Sequence, residues 1–134
     1  MKSIEVVAAI ITQPDGRILC TQRNKGPYSY ISKKYEFPGG KIEIGESREE
    51  ALNREILEEL NIKIRINSFF ITVEHQYPDF FLIMHTYRCN MISNKITLND
   101  HLQYKWLELK NLRSLDWAAA DLPIIDKLIL NEDE

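Results

Sequence analysis

The chain has 134 residues, a hydrophobic fraction of 44% and a formal net charge of −3. This length predicts a single domain, 1–134, with a sizeable buried core. The acidic balance argues against binding to a nucleic-acid polymer, which requires a basic surface. No apolar run reaches membrane-spanning length and the first residues lack a secretory pattern, so we expect a cytoplasmic protein without membrane contact. Cys20 and Cys89 lack metal-ligand spacing and are expected to be reduced core thiols.

The first part of the chain predicts short strands around a loop. Residues 4–12 form an apolar, β-branched run that is typical of a buried strand. Residues 14–16 (Pro-Asp-Gly) form a turn, and residues 17–23 return as the second arm of a hairpin. Residues 24–34 are polar and contain glycine and proline, which favours a loop. Residues 35–37 are a short strand that leads into a glycine-rich loop.

A helix is predicted between two capping residues. Ser47 is the expected N-cap, and Glu50 completes a capping box three residues later. Asn61 is the expected C-cap, because asparagine tolerates the left-handed conformation found there. The predicted core-facing stripe consists of Leu52, Ile56, Leu57 and Leu60.

The remaining part of the chain predicts three more strands and a second helix. The strands are expected at 63–76, 80–91 and 104–108, where apolar residues alternate or run together. Pro123 suits the first turn of a helix that continues over 124–130. Mixed strands flanked by two helices predict an α+β fold arranged as an α/β/α sandwich.

Three carboxylates crowd one face of the first predicted helix. Glu55, Glu58 and Glu59 stand at i, i+3 and i+4, with the small Ala51 on the same side. Like charges at these spacings each cost roughly 0.2–0.5 kcal/mol, and the negative end of the helix dipole adds to the cost. Taken alone, such a triplet is most often a solvated acidic face. The arrangement becomes favourable if a cation binds it.

The loop and the helix together match a known motif. The matching positions are Gly40, Glu46, Arg54, Glu55, Glu58, Glu59, Asn61 and Ile62. This spacing resembles the Nudix box. The one departure is Asn61, which stands where the box has glycine; like glycine, asparagine can adopt the left-handed backbone conformation of a helix C-cap. Within that superfamily the chain is similar to the MutT group. The resemblance implies the Nudix fold, with a mixed central sheet flanked by helices, and a hydrolase of nucleotides.

The resemblance also implies a set of metal ligands. Glu55, Glu58 and Glu59 would supply the carboxylate oxygens that Mg²⁺ prefers. Gly39 would add its backbone carbonyl. With Mg²⁺, or with Mn²⁺ in its place, one metal would polarise the phosphoryl oxygens while another lowers the pKa of the attacking water. Arg54 is similar to the family's arginine that holds a glutamate in place.

Other residues of the motif would serve the phosphates. Glu46 resembles the family's acid between loop and helix and would support the second metal. Gly40 and Gly45 are expected to adopt backbone conformations closed to other residues, which lets the loop approach phosphate and metal. Arg23 and Lys41 match cations of the MutT group that pair with phosphates. For Arg23, a solvated cation at a strand end is the alternative.

Two carboxylates are candidates for the general base. Glu55 is one of them. The other is Asp100, which lies six residues before Trp106 where the MutT group has a glutamate. Aspartate is one methylene shorter, and Asn99 and Asp100 could equally form a turn.

The nucleobase would be contacted by residues outside the motif. Tyr77, Phe80 and Phe81 could stack on a base, although aromatic residues in strands more often belong to the core. Asp121 stands where the MutT group reads the base with an asparagine. An ionised carboxylate only accepts hydrogen bonds, whereas a protonated one can also donate. Asp121 could equally cap the helix that Pro123 begins.

We therefore expect a Mg²⁺-dependent nucleoside triphosphate pyrophosphohydrolase, a monomer or homodimer, that releases a nucleoside monophosphate and pyrophosphate. The substrate is expected to be CTP or dCTP, or an oxidised nucleotide such as 8-oxo-dGTP. A hydrolase of ADP-ribose or nucleoside diphosphate sugars is an alternative, although such enzymes usually carry extra N-terminal structure. A non-catalytic nucleotide-binding module is another, although it would typically lack one of the three carboxylates. The histidines His75, His85 and His101 lack metal-ligand spacing and are expected to be structural or exposed.

Overall fold

The computed structural model describes residues 2–93 and 95–132; residues 1, 94, 133 and 134 of the predicted domain lie outside that part. The strands are β1 (Ser3–Thr12), β2 (Ile18–Gln22), β3 (Tyr35–Glu36), β4 (Gly39–Lys41), β5 (Ile64–Gln76), β6 (Phe81–Met91) and β7 (Gln103–Leu107). The helices are α1 (Arg48–Leu60) and α2 (Leu122–Glu132). Short 3₁₀ helices cover Leu109–Ser114 and Ala119–Asp121. In the described chain no helix combines the length and apolar character needed to cross a membrane.

The strands form one mixed sheet with β1 at its centre. β1 pairs in parallel with β6 along its whole length and antiparallel with β2 and β4. The sheet runs in the order β3-β2-β1-β6-β5, with β4 beside β1 and β7 beside β2. The predicted mixed sheet is confirmed, and β1 joins β2 and β4 to β6.

The sheet is buried on both faces, which explains why β1 is a continuous apolar run. Its side chains alternate between the faces. Val7, Ala9 and Ile11 pack with the buried side of α1, while Ala8 and Ile10 pack in the core that includes α2. The helices therefore lie on opposite faces, and the predicted α/β/α sandwich is confirmed.

The caps of α1 are confirmed. The Ser47 hydroxyl accepts a hydrogen bond from the Glu50 N–H at 3.1 Å, and the Glu50 carboxylate accepts one from the Ser47 N–H at 2.9 Å. Asn61 closes the helix in the left-handed conformation, with φ 56° and ψ 35°. Local sequence alone fixes both ends of this helix.

The orientation of α1 differs from the prediction. Leu57, expected in the core, is 47% exposed. The residues that face the sheet are Ala51, Leu52, Ile56 and Leu60. At about 100° per residue, Glu55 and Glu59 fall between Ala51 and Ile56, whereas Leu57 falls beyond that arc. Two of the three carboxylates are thus partly covered, and Glu58 alone of the three is exposed.

Two boundaries also differ. Residues 39–41, predicted as loop, form β4 because their backbone pairs antiparallel with Val6, Val7 and Ala8 of β1. The second helix starts at Leu122 and continues to Glu132, beyond the predicted 124–130. The pairing of β4 fixes the glycine-rich segment against the sheet directly beside α1.

Candidate active site

The C-terminal end of α1 is joined to the loop that follows β6. The Asn99 N–H donates to the Glu59 carbonyl at 3.0 Å, and the Asn99 side-chain amide donates to the Glu58 carbonyl at 2.7 Å. These carbonyls have no partner within the helix itself, so the loop completes the helix end. As a result Asp100 lies beside Glu59, and both line one polar cavity of about 270 Å³.

Arg54 is the centre of an ion-pair network on the exposed edge of α1. Its guanidinium binds both carboxylate oxygens of Glu46, at 2.6 and 2.9 Å. It also donates to Glu55 at 2.9 Å, to Glu58 at 3.3 Å and to the Lys41 carbonyl at 3.0 Å. The hydrogen bonds from Arg54 lower the pKa of Glu46 to about 2. This network ties the glycine-rich segment to the helix.

Glu59 has a different environment from the other carboxylates. Its Oε1 is buried and has no hydrogen-bond partner among the described residues. Burial, followed by the neighbouring charges of Glu36, Glu55 and Asp100, raises the pKa of Glu59 to about 8. Burial also raises the pKa of Glu55, against the opposing effect of Arg54. An acceptor oxygen left unpaired inside a protein is costly, and a bound cation would remove the cost.

The donor set fits a hard divalent cation. Glu55, Glu58 and Glu59 offer carboxylate oxygens from one rigid helix, and such ions prefer oxygen ligands. In the arrangement seen across residues 2–93 and 95–132, no three His, Cys, Asp or Glu side chains are grouped closely enough to hold a metal ion. Two of the three carboxylates instead contact Arg54. Metal binding would therefore require Glu55 and Glu58 to turn from Arg54 toward Glu59.

Two glycines serve this region for different reasons. Gly45 has a φ of +88°, which favours glycine as predicted. Gly40 has no positive φ, so the expectation of an unusual backbone conformation there is wrong. A Cβ on Gly40 would collide with the carboxylate of Glu55. The Glu55 carboxylate thus lies directly against the backbone of Gly40, and it would have to move aside for any larger residue there.

An apolar cavity of about 300 Å³ opens on the other side of the glycine-rich segment. Tyr77, Phe80, Leu82 and Met84 line one wall. Phe81, expected to contact the base, is not part of this wall. Side chains alternate along β6, so the even-numbered positions face the cavity and Phe81 faces away. Lys41 lies at the rim, where its side chain is exposed.

Asp121 lies in this cavity and is 4% exposed. Its Oδ2 accepts a hydrogen bond from the Phe37 N–H at 2.9 Å, so its side chain is directed to the strand end instead of to a helix cap. Burial, followed by the charge of Glu36, raises the pKa of Asp121 well above its usual range. The Tyr77 hydroxyl accepts from the Ala120 N–H at 3.0 Å and holds this turn in place. In its neutral form the Asp121 carboxyl can both donate and accept hydrogen bonds, with one acceptor position of Oδ2 already used by the Phe37 N–H.

Sequence reasoning missed Glu36. Its Oε1 accepts from the Arg23 guanidinium at 3.0 Å, and its Oε2 lies 3.0 Å from His101 Nε2. Its position directly before Phe37 and the two glycines is the signal that could have found it, because that run belongs to the site. His101, expected to be structural or exposed, is buried.

Comparison with known proteins gives consistent relatives. The chain matches the NUDIX domain family over residues 2–128. It is 30% identical over 128 residues to 8-oxo-dGTP diphosphatase of Escherichia coli K12, covering 96% of this chain and 98% of that protein. It is 32% identical over 126 residues to CTP pyrophosphohydrolase of the same organism, covering 94% of this chain and 91% of that protein. The crystal structure of MutT protein from Methanosarcina mazei Go1 is similar in fold, with a TM-score of 0.88 at 21% identity, covering 99% and 97% of the two chains.

Proposed function

This chain belongs to the Nudix family, and we propose that it is a nucleoside triphosphate pyrophosphohydrolase that requires a divalent cation. The reaction converts a nucleoside triphosphate and water into a nucleoside monophosphate and pyrophosphate. The observation that carries the proposal is the buried, unpaired Oε1 of Glu59 on the helix that also bears Glu55 and Glu58. Glu59 lines a polar cavity that adjoins an apolar one. A nucleotide needs both kinds of surroundings, one for its phosphates and one for its base.

Mg²⁺ is the proposed cation, and Mn²⁺ would take the same oxygen ligands. Glu55, Glu58 and Glu59, together with the Gly39 carbonyl, would hold it. When bound, the divalent metal supplies polarisation of the phosphoryl oxygens and an attacking water of lowered pKa. The polyanionic substrate and this acidic helix end are compatible only through such a cation.

The chain's own residues would orient the reacting groups. Arg54, fixed by its two bonds to Glu46, keeps Glu55 and Glu58 close to the glycine-rich segment before the metal binds. Arg23 and Lys41 would meet the negative charge of the phosphate chain, with the Gly40 backbone beside it. Charge-assisted hydrogen bonds of this kind are among the stronger contacts available to a binding site.

Two carboxylates are the proposed candidates for the general base that accepts a proton from the attacking water. Asp100 lines the polar cavity together with Glu59. Glu55 lies against Gly40 and is partly buried. Asp100→Asn separates them, because Asp100, unlike Glu55, is not among the proposed metal ligands. If Asp100 is the general base, this variant lowers kcat by about 10²–10⁴ and loses the acidic limb of the pH–rate profile; if it keeps both, Glu55 is the base.

Asp121 is the proposed reader of the base. A neutral carboxyl donates from one oxygen and accepts at the other, which matches N3 and the amino group of cytosine. It also matches O6 and the N7–H of 8-oxoguanine. Unmodified guanine presents two acceptors, O6 and N7, at the same edge and would leave the carboxyl half-satisfied. The proposed substrates are therefore CTP-type or oxidised guanine nucleotides, the classes named for the two relatives above.

A turnover screen tests the proposal. Purified protein with Mg²⁺ is incubated with CTP, dCTP, 5-methyl-dCTP, dGTP, 8-oxo-dGTP and ADP-ribose. The nucleoside monophosphate formed is measured by chromatography together with any released pyrophosphate, with and without EDTA. We expect pyrophosphate from a cytidine or oxidised nucleotide, abolished by EDTA and nearly absent in Glu58→Gln. Cleavage of ADP-ribose alone would favour the alternative hydrolase. Tight nucleotide retention without turnover would favour a binding module.

A further inference from the structure

The polar and apolar cavities meet at one place. Arg23, Glu36 and Gly39 line both of them. A nucleotide with its base beside Asp121 and its phosphates beside Glu59 must pass this junction. Arg23 is the cation of the junction, so the position of its guanidinium decides whether it meets the phosphate chain.

Arg23 is held by a chain of contacts that leads into the protein. Glu36 uses one carboxylate oxygen for the Arg23 guanidinium and the other for His101 Nε2, each at 3.0 Å. Exposure of the side chains falls along this chain, from 40% for Arg23 to 16% for Glu36 and 2% for His101. The half-exposed Arg23 is therefore linked through Glu36 to the buried His101. A carboxylate oxygen only accepts hydrogen bonds, so His101 donates from Nε2 in the tautomer that this contact assigns.

The imidazole ring of His101 makes few other polar contacts. Within the described chain, the bond to Glu36 is the hydrogen bond its side chain makes to protein, and Nδ1 is buried without a partner. His101 lines the polar cavity together with Glu59 and Asp100. An apolar side chain would fill a purely structural position without leaving a polar atom unpaired. The imidazole is thus best explained by what it does to Glu36.

We propose that His101 is a positioning residue: through Glu36 it fixes the Arg23 guanidinium at the junction of the two cavities, ready to bind the phosphate chain of a nucleotide. The inference rests on the proposed nucleotide substrate and adds the residues that pre-organise its binding. An arginine side chain loses much rotamer freedom when it binds. A guanidinium already held in place has less freedom left to lose, which favours affinity.

Two substitutions separate the two nitrogens of His101. In His101→Gln the side-chain amide can reach the position of Nε2 and still donate to Glu36. In His101→Asn the amide takes the position of Nδ1 and falls short of Glu36. We expect His101→Asn to raise KM about tenfold with a smaller change in kcat, because misplacement of a binding group by about 1 Å costs up to 10²-fold. His101→Gln should restore KM to within about threefold of the wild type.

The double variant Arg23→Ala/His101→Asn shows whether the effect passes through Arg23. If it does, adding His101→Asn to Arg23→Ala leaves KM unchanged, because coupled residues are non-additive. His85→Asn is the matched control, a second buried histidine paired with a glutamate (Glu5) away from both cavities. It should lower Tm without altering KM.

Equal KM values for the Asn and Gln variants, or additive effects of Arg23→Ala and His101→Asn, would overturn the proposal. The dissociation constant for α,β-imido-CTP is measured on the same proteins. If the wild type binds this analogue but hydrolyses no nucleotide, the proposed function fails while the affinities still decide the role of His101. If it neither binds nor hydrolyses, both fail.

Discussion

The carboxylate end of α1 and the apolar cavity beside it are built in opposite ways. Arg54, Glu55, Glu58 and Glu59 lie within six consecutive residues of one helix. The cavity takes its wall from β1, the loop after β2, the strand β6 and the segment before α2. A helix fixes the spacing of its own side chains, whereas the cavity exists only once distant segments have packed. The first region is therefore set by local sequence, whereas the second is set by the packing of distant segments.

The largest effect is expected when the charge of Glu59, at the carboxylate end of α1, is removed. Glu59→Gln keeps the shape but removes the unpaired charge, so we expect Mg²⁺-dependent turnover to fall by about 10²–10³. The metal-free variant should also be more stable, because the wild type buries a carboxylate beside Glu36 and Asp100. The expected rise in Tm in EDTA at pH 8.5 is about 2–4 °C. Wild-type turnover, or a lower Tm, would contradict the assignment.

Asp121 tests the second region. Asp121→Asn offers the same donor and acceptor as a neutral carboxyl, so we expect kcat/KM for the preferred nucleotide to stay within about threefold of the wild type. Asp121→Leu should lower it by about 10–100-fold while kcat at saturation changes little. Because the folded-state pKa of Asp121 is raised, the wild type should lose stability as pH rises through that pKa, and Asp121→Asn should not. A wild-type-like Leu variant would remove Asp121 from the site.

A smaller effect compares Phe80, directly before β6, with Phe81, the first residue of that strand. Phe80 lines the cavity and Phe81 does not. Phe80→Leu should raise KM about three- to tenfold, as expected for a modest change in an apolar pocket. Phe81→Leu should leave KM within about twofold of the wild type. Steady-state kinetics with the preferred nucleotide measure both, and a larger effect at Phe81 would mean that the base binds elsewhere.

The smallest effect concerns the exposed edge of α1. Arg54 lowers the pKa of Glu46 to about 2. The ion pair therefore stabilises the folded protein fully when the pH is above the ordinary pKa of a glutamate. That contribution is lost as pH falls from about 4.5 to about 2. Arg54→Met should flatten this part of the pH–stability curve, measured by urea unfolding. An unchanged slope below pH 4.5 would show that other carboxylates control acid unfolding.

The same comparison explains what could be predicted from the sequence. The caps of α1 depend on residues three or four positions apart, and Ser47, Glu50 and Asn61 were identified correctly. The partly buried position of Glu59 was not predicted, because it depends on which side of α1 packs against the sheet. β4 was missed because its glycines carry no side-chain pattern and its pairing depends on the backbone of β1.

Long-range contacts set a second limit. Glu36 and His101 are 65 positions apart in the chain, and no local pattern connects them. The choice between Phe80 and Phe81 depends on a one-residue register, which inverts the faces of a strand. The family motif therefore identified the carboxylates of α1, while the residues that line the apolar cavity could be assigned only from the fold.

The loop that completes the end of α1 has one more consequence. The Asn99 amide is bonded to the Glu59 carbonyl, and the next two residues are Asp100 and His101. Any fluctuation that lifts this loop breaks the hydrogen bonds of Asn99 to the Glu58 and Glu59 carbonyls and, at the same time, moves Asp100 and His101 away from Glu59 in the polar cavity. Hydrogen–deuterium exchange at the Asn99 amide therefore measures how often the cavity opens, and slower exchange on addition of Mg²⁺ would report that a cation at Glu59 keeps it closed.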